Sequence, residues 1–144
     1  VVLGSDTVVT YPDENGGWHI LNKPADPAEA RHMLARLSGR THRVITAVAV
    51  AHGETLQVES DSSEVRFYPL SADETAEYVA TGEPLDKAGA YGIQERGVDL
   101  VEWVRGDLNT VIGLPLALAS RMLRPYYPGL PLVHKAVFEP RRRA

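Results

Sequence analysis

Three short stretches of the chain carry residues that packing alone does not call for: SDT at Ser5 to Thr7, LNKP at Leu21 to Pro24, and DKAGAYGIQ at Asp86 to Gln94. Each sets a charged or hydrogen-bonding side chain at the end or in the middle of an expected strand, where the backbone can hold it rigidly. Lysines such as Lys23 and Lys87 neutralise phosphate oxygens as compact point charges. A carboxylate such as Asp6 deprotonates a water or holds a divalent cation. Gly89 and Gly92 would let backbone N–H groups approach an anion. Gln94 both donates and accepts, as a group that reads a nucleobase must. Together these types suit cleavage of a phosphate anhydride. Singly, each has a plainer alternative. Asp6 reads equally as a turn or capping acid, Lys23 as a solvated lysine, and Tyr91 as a core aromatic instead of a ring stacked on a base. Asp86 and Lys87 read as a surface ion pair worth less than about 1 kcal/mol.

The surrounding text supplies the elements that must position them. Val1 to Thr10 reads as a buried, valine-rich strand interrupted by Gly4, Ser5 and Asp6, and burying Asp6 there is costly without a partner. Turn residues from Tyr11 to Gly17 and a short strand from Trp18 to Leu21 complete a hairpin. A helix follows from Pro27 to Ser38, with Asp26 as N-cap, Glu29 three residues on, and Gly39 at its end. Its apolar face is Ala30, Met33, Leu34 and Leu37. Thr41 to His52 alternates with both faces largely apolar, as a central strand does. Thr55 to Leu70 is a long strand with a bend or exposed section in the polar stretch Glu59 to Glu64. A second helix starts after Ser71, with Glu74 closing a capping box, and ends before Gly82. A strand from Val98 to Arg105, a turn at Gly106 and Asp107, and a helix from near Pro115 finish the pattern. The class is α/β, an α+β arrangement with a mixed sheet, without a Walker lysine motif or a GxGxxG fingerprint.

Composition narrows the function classes. A chain of 144 residues fits one domain that buries about two thirds of its unfolded surface. It contains no cysteine, which excludes disulfides, zinc fingers and thiol catalysis. The longest apolar run, Val111 to Leu123, is too short for a membrane span and holds Pro115 and Arg121. A net charge of -4 argues against a nucleic-acid coat, so any cations for a phosphate ligand must be local. The one dense basic cluster, Arg141 to Arg143, reads as a solvated tail.

The islands, with the text between them, resemble the Maf proteins, nucleotide pyrophosphatases that share the fold of the inosine triphosphatases. The matching text is SDTVV, LNKPADPAEARHMLARLSGRTHRVITAVAV, YVATGEPLDKAGAYGIQERG and VIGLPL, over Val1 to Leu123. The resemblance implies a cytoplasmic hydrolase that converts dTTP and UTP to the monophosphate and pyrophosphate with a divalent cation, Mg²⁺ or Mn²⁺. It matches Asp6 to the family's proton acceptor, Thr7 and Gln94 to positions of base choice in the pyrimidine branch, and Lys23 and Lys87 to the phosphate-contacting lysines. Glu83 and Asp86 fall in the same motif as candidate metal-holding groups. The family's opening Ser-Pro-Arg-Arg segment has no counterpart before Val1, so a Maf-like domain over 1–130 lacking its N-terminal part, followed by a tail over 131–144, is the expected organisation. That loss would leave apolar surface open to self-association, and the resemblance itself implies a homodimer. Two alternatives stay open: a nucleotide-binding or regulatory protein of the same fold without turnover, and a DNA- or division-associated protein that uses the arginine tail.

Overall fold

The computed structural model describes residues 1–140. The arginine tail, Arg141 to Arg143, lies outside the described residues. One five-stranded sheet is built from β1 (Val2–Pro12), β2 (Trp18–Leu21), β3 (Thr41–His52), β4 (Thr55–Phe67) and β5 (Val101–Arg105). Its order is β2-β1-β3-β4-β5, and all four pairings are antiparallel. The α-helices are α1 (Pro27–Leu37), α2 (Ala72–Ala80), α3 (Leu108–Ile112) and α4 (Leu116–Leu123). Three short 3-10 turns, Glu83–Asp86, Ala88–Ala90 and Arg96–Leu100, fill the segment between α2 and β5. The α/β class holds as an α+β arrangement, but the expected mixed sheet is antiparallel throughout, because each successive pair of neighbouring strands runs in opposite directions.

Local chemistry sets the helix ends. Asp26 accepts from the Glu29 amide at 2.8 Å, Pro27 sits in the first turn, and Glu29 reaches back to the Ala25 amide at 2.7 Å. Ser71 and Glu74 form a reciprocal capping box at the start of α2. Gly82 ends that region with φ 77°, a left-handed turn that glycine adopts without strain.

β3 is central, and its two faces are unequal. His42, Val44, Thr46, Val48 and Val50 are buried, whereas the intervening Ile45, Ala47 and Ala49 are only half-buried. The buried row receives helices along its whole length. Ala30, Met33, Leu34 and Leu37 of α1 join the core around Val44, Val65 and Phe67. Leu118, Ala119 and Met122 of α4 cover Val48 and Val50. Each large side chain so buried contributes about 1.5 to 3 kcal/mol.

Three expectations change. β1 is not buried along its length: Val1 to Asp6 are exposed, and the strand enters the core only from Val9. The desolvation cost feared for Asp6 therefore does not arise. β4 runs unbroken through the polar stretch, because its polar residues meet partners in the C-terminal part of the chain. Ser63 donates to the Asp107 carbonyl, Asp61 accepts from the Thr110 hydroxyl, and Glu59 pairs with Arg121 at 3.4 Å. β5 starts at Val101 instead of Val98, since Arg96–Leu100 turns as a 3-10 segment. On the sheet face away from the helices, Val2, Trp18, Ile20, Leu56 and Val58 are exposed.

His42 is the one buried imidazole of the core. Its Nε2 lies 2.7 Å from the Tyr91 hydroxyl, and Phe67 and Tyr91 meet it edge-on. Burial pushes its pKa down from 6.5 to about 3, so the folded protein holds the ring neutral. The unfolded chain takes up this proton near pH 6.5 and the folded chain only near 3, so stability is full above 6.5 and falls as pH drops through that window. The slope reaches about 1.4 kcal/mol per pH unit. Denaturant midpoints measured from pH 7 to 5 should therefore decline in the wild type and stay flatter in His42→Gln. Parallel slopes would refute this assignment.

Candidate active site

The three islands meet around Gly89. Its amide donates to the Asn22 carbonyl at 3.3 Å, which ties the lysine loop to the segment between β2 and α1. A Cβ there would stand 2.9 Å from Val9 of β1, and φ is 73°. Only glycine lets the backbone lie this close to the strand. A cavity of about 480 Å³ opens beside this junction. Ser5, Asp6 and Thr7 line it from β1, Lys23 from the β2–α1 loop, and Glu83, Lys87, Tyr91, Gly92 and Gln94 from the segment after α2.

Its position follows from the sheet. β2 pairs with β1 only from Val9 onward, so Ser5 to Thr7 form a free edge on that side. The Thr7 amide, turned away from β3, donates to Asp6 Oδ1 at 2.9 Å. Adjacent residues of a strand face opposite ways, and this contact turns the Asp6 carboxylate back along the edge, so that Asp6 and Thr7 both reach the cavity.

The segment after α2 is shaped by Glu83. One of its carboxylate oxygens accepts from the Tyr78 hydroxyl at 2.9 Å and the Gly97 amide at 3.1 Å, and the other from the Arg96 amide at 3.3 Å. The Tyr78 hydroxyl also accepts from the Gly92 amide at 3.1 Å. Burial, first, and then the neighbouring Glu83 carboxylate push the Tyr78 pKa far up, so the hydroxyl stays a donor. The two ends of the loop, Glu83 and Gly97, are thereby held together.

The glycines of this segment make room for protein groups rather than for an anion. A Cβ on Gly92 would stand 2.4 Å from Lys87 Cε, so Gly92 is the channel for the lysine stem. A Cβ on Gly97 would stand 1.8 Å from the Gly92 carbonyl oxygen. Lys87 Nζ donates to Asp86 Oδ1 at 3.1 Å and has two further N–H donors. Asp86 is exposed and is not among the lining residues. The Lys87 hydrogen bond and charge, with a smaller contribution from Lys23, hold its carboxyl below the usual range. Both lysines thus stand at one mouth of the cavity. Tyr91 borders it but is buried, bonded to His42 and packed on Phe67.

The far wall comes from α3, a five-residue helix that the sequence pattern does not reveal. Val111 and Ile112 line the cavity from it. It is strapped to the sheet by polar contacts: Ser63 to the Asp107 carbonyl, Thr46 to the Thr110 carbonyl at 2.7 Å, and Ser5 to the Gly113 carbonyl at 3.0 Å. The signal for this was Thr46 itself, a hydroxyl in the middle of the valine and alanine row of β3.

Three carboxylates (Asp6, Glu83 and Glu95) and two lysines line the cavity, so a polyphosphate would enter a site whose own charge is slightly negative. Among the described residues no group of three or more acidic or histidine side chains forms a metal cage. This donor set fits Mg²⁺, which takes one or two carboxylates and completes its shell with phosphate oxygens and water.

A single sheet with helices on one face, and an edge cavity carrying three carboxylates, two lysines and an amide, defines an α/β protein with a polar, charged cleft at its sheet edge. The chain belongs to the Maf-like protein family, whose profile matches residues 1–126. A Symbiobacterium thermophilum protein named dTTP/UTP pyrophosphatase is 49% identical over 129 residues, 89% of this chain and 64% of the relative. Proteins of the same name from Bacillus velezensis and Aromatoleum aromaticum are 48% and 47% identical, over 88% and 91% of this chain. The chain spans 60 to 64% of the length of these curated relatives.

The Glu83 clamp makes a direct prediction. Tyr78→Phe leaves a carboxylate oxygen and the Gly92 amide each short of a partner and should lower unfolding free energy by about 1 to 3 kcal/mol. Gly97→Ala, which collides with backbone, should lower it at least as much. Urea midpoints equal to the wild type in both variants would show that the clamp does not hold the loop.

Proposed function

We propose that the protein is a nucleoside triphosphate pyrophosphatase that hydrolyses dTTP and UTP to the monophosphate and pyrophosphate. The reading is carried by the convergence of Asp6, Thr7, Lys23, Lys87 and Gln94 on one cavity, in a chain whose relatives bear the name dTTP/UTP pyrophosphatase. The β1 edge and the lysine loop both line it, which brings an acid and two phosphate-binding cations to one cleft.

In this reading a water attacks phosphorus at the α–β anhydride, forming a new P–O bond as the bond to the bridging oxygen breaks. Asp6 takes the water proton on its carboxylate, of which only Oδ1 is engaged among the described residues, by the Thr7 amide. Lys23 and Lys87 neutralise the negative charge that gathers on the departing pyrophosphate. The Asp86 contact holds the Lys87 head at the mouth while its remaining N–H groups point to phosphate. Gln94, whose side chain makes no hydrogen bond among the described residues, offers its amide to the base. Of the three lining carboxylates, Asp6 and Glu83, through the Oε2 that accepts only from the Arg96 amide among the described residues, would hold a divalent cation, with Asp86 beside the mouth; such a cation would supply charge neutralisation to the triphosphate.

Pyrophosphate release measured over the common nucleoside triphosphates, with Mg²⁺ and with Mn²⁺, tests the reading. Release should be greatest from dTTP and UTP. Asp6→Asn should lower kcat at least about 100-fold with an unchanged unfolding midpoint, because Asp6 is exposed. Equal turnover by the variant would remove Asp6 as base, and saturable nucleotide binding with no release at all would make the protein a binding module.

A further inference from the structure

The hydroxyl of Thr7 is not free to choose its role. Thr7 and Thr46 face each other across the β1–β3 pair, with Oγ1 atoms 2.8 Å apart. Thr46 also lies 2.7 Å from the Thr110 carbonyl oxygen, an acceptor with no proton to give. A hydroxyl has one proton, and that of Thr46 is therefore committed to α3. In the Thr7–Thr46 contact Thr7 must be the donor. What Thr7 has left for the cavity is a lone pair.

The relay ends on a backbone carbonyl, which can only accept. Thr46 and Thr110 are fully buried, and a separate bond from the Thr110 hydroxyl to Asp61, whose other oxygen lies 3.7 Å from Lys135, holds Thr110 in place. Reversing the chain of donors would leave the Thr110 carbonyl without this partner inside the protein, at a cost comparable to a lost buried hydrogen bond. Beside Thr7, Gly113 has no side chain, and a Cβ there would stand 3.6 Å from Thr7 Oγ1.

We infer that Thr46 is a positioning residue for base selection: it locks Thr7 as a hydrogen-bond acceptor that takes the N3–H of uracil or thymine and rejects cytosine, whose N3 is itself an acceptor. This rests on the nucleotide reading above and deepens it. Gln94 alone cannot make this choice, because an unanchored amide rotates to present either its donor or its acceptor end. A site that leaves a buried acceptor facing another acceptor discriminates more strongly than one that loses apolar contact.

The test uses UMP and CMP, which have no anhydride to hydrolyse, and reads their Kd values by titration calorimetry with the wild-type chain, Thr46→Val and Thr46→Ser. The wild type should prefer UMP by about 10-fold or more, the scale of one buried hydrogen bond. Thr46→Val keeps the shape but removes the acceptor for the Thr7 proton, so the preference should fall at least about 5-fold, with CMP binding improved. Thr46→Ser should restore it. A structural role alone would weaken both ligands equally or lower Tm without moving their ratio. A ratio unchanged in Thr46→Val, or a wild type without preference, overturns the inference while the pyrophosphatase reading stands. Binding of neither nucleotide overturns the inference, while pyrophosphate release from the triphosphates decides the pyrophosphatase reading separately.

Discussion

A polar group taken out of water must find a partner inside the protein or cost folding free energy, and in this chain that requirement decides where the walls of the cavity stand. α3 is only five residues long and reaches the apolar core through Leu108 and Val111. Its orientation is fixed further by Thr46, Ser63 and Ser5 on the sheet, each of which donates to a carbonyl at or beside it. Asp107 completes the attachment: it caps α3 through the Asn109 amide and accepts from the Ala136 amide, so the segment after α4 is drawn back over the same helix. The opposite wall obeys the same rule. Glu83 can sit at the base of the lysine loop because Tyr78, Arg96 and Gly97 all donate to it. One constraint therefore builds both sides of the site, and the apolar core beneath supplies the stability that makes these polar layers affordable.

The two walls differ in chemistry. The α3 side offers Val111 and Ile112 and the lone pair of Thr7, whereas the loop side offers the ammonium groups of Lys23 and Lys87. A ligand that spans them must be amphipathic in a particular way, with a flat, hydrogen-bonding end and a multiply charged end. The ion pair of Lys87 with Asp86 fits that division. An exposed pair of this kind contributes little to stability, yet it keeps the long lysine from wandering, while Gly92 gives its stem a channel along the loop.

Much of this was legible in the residues before any coordinates. The caps of α1 and α2, the β1–β2 hairpin and the buried face of α1 follow from local chemistry, and local chemistry is what a sequence displays. The grouping of Asp6, Thr7, Lys23, Lys87 and Gln94 was legible from residue types and the family resemblance. What escaped was long-range. The polar stretch of β4 looked like a bend because Glu59, Asp61 and Ser63 find partners about 40 to 70 residues away. The first half of β1 looked buried because valines suggest it, but no helix covers Val2 or Leu3 among the described residues. Gly92 looked like a cradle for an anion, and only the position of Lys87 Cε shows that it serves the lysine.

The same distinction explains why Thr46, a visible hydroxyl in an aliphatic row, did not disclose its partners. In the alternation of β3 it occupies a core position, and its size nearly equals that of valine, so packing alone has no reason to prefer one over the other. The hydroxyl matters only because the antiparallel register sets it opposite Thr7 and because α3 returns, more than sixty residues later, with a carbonyl within reach. Neither fact is local. A buried threonine in an otherwise aliphatic row pays the desolvation of its hydroxyl, and in this fold the return on it is direction: one proton, committed inward, which leaves the residue at the cavity edge with a single polarity to offer.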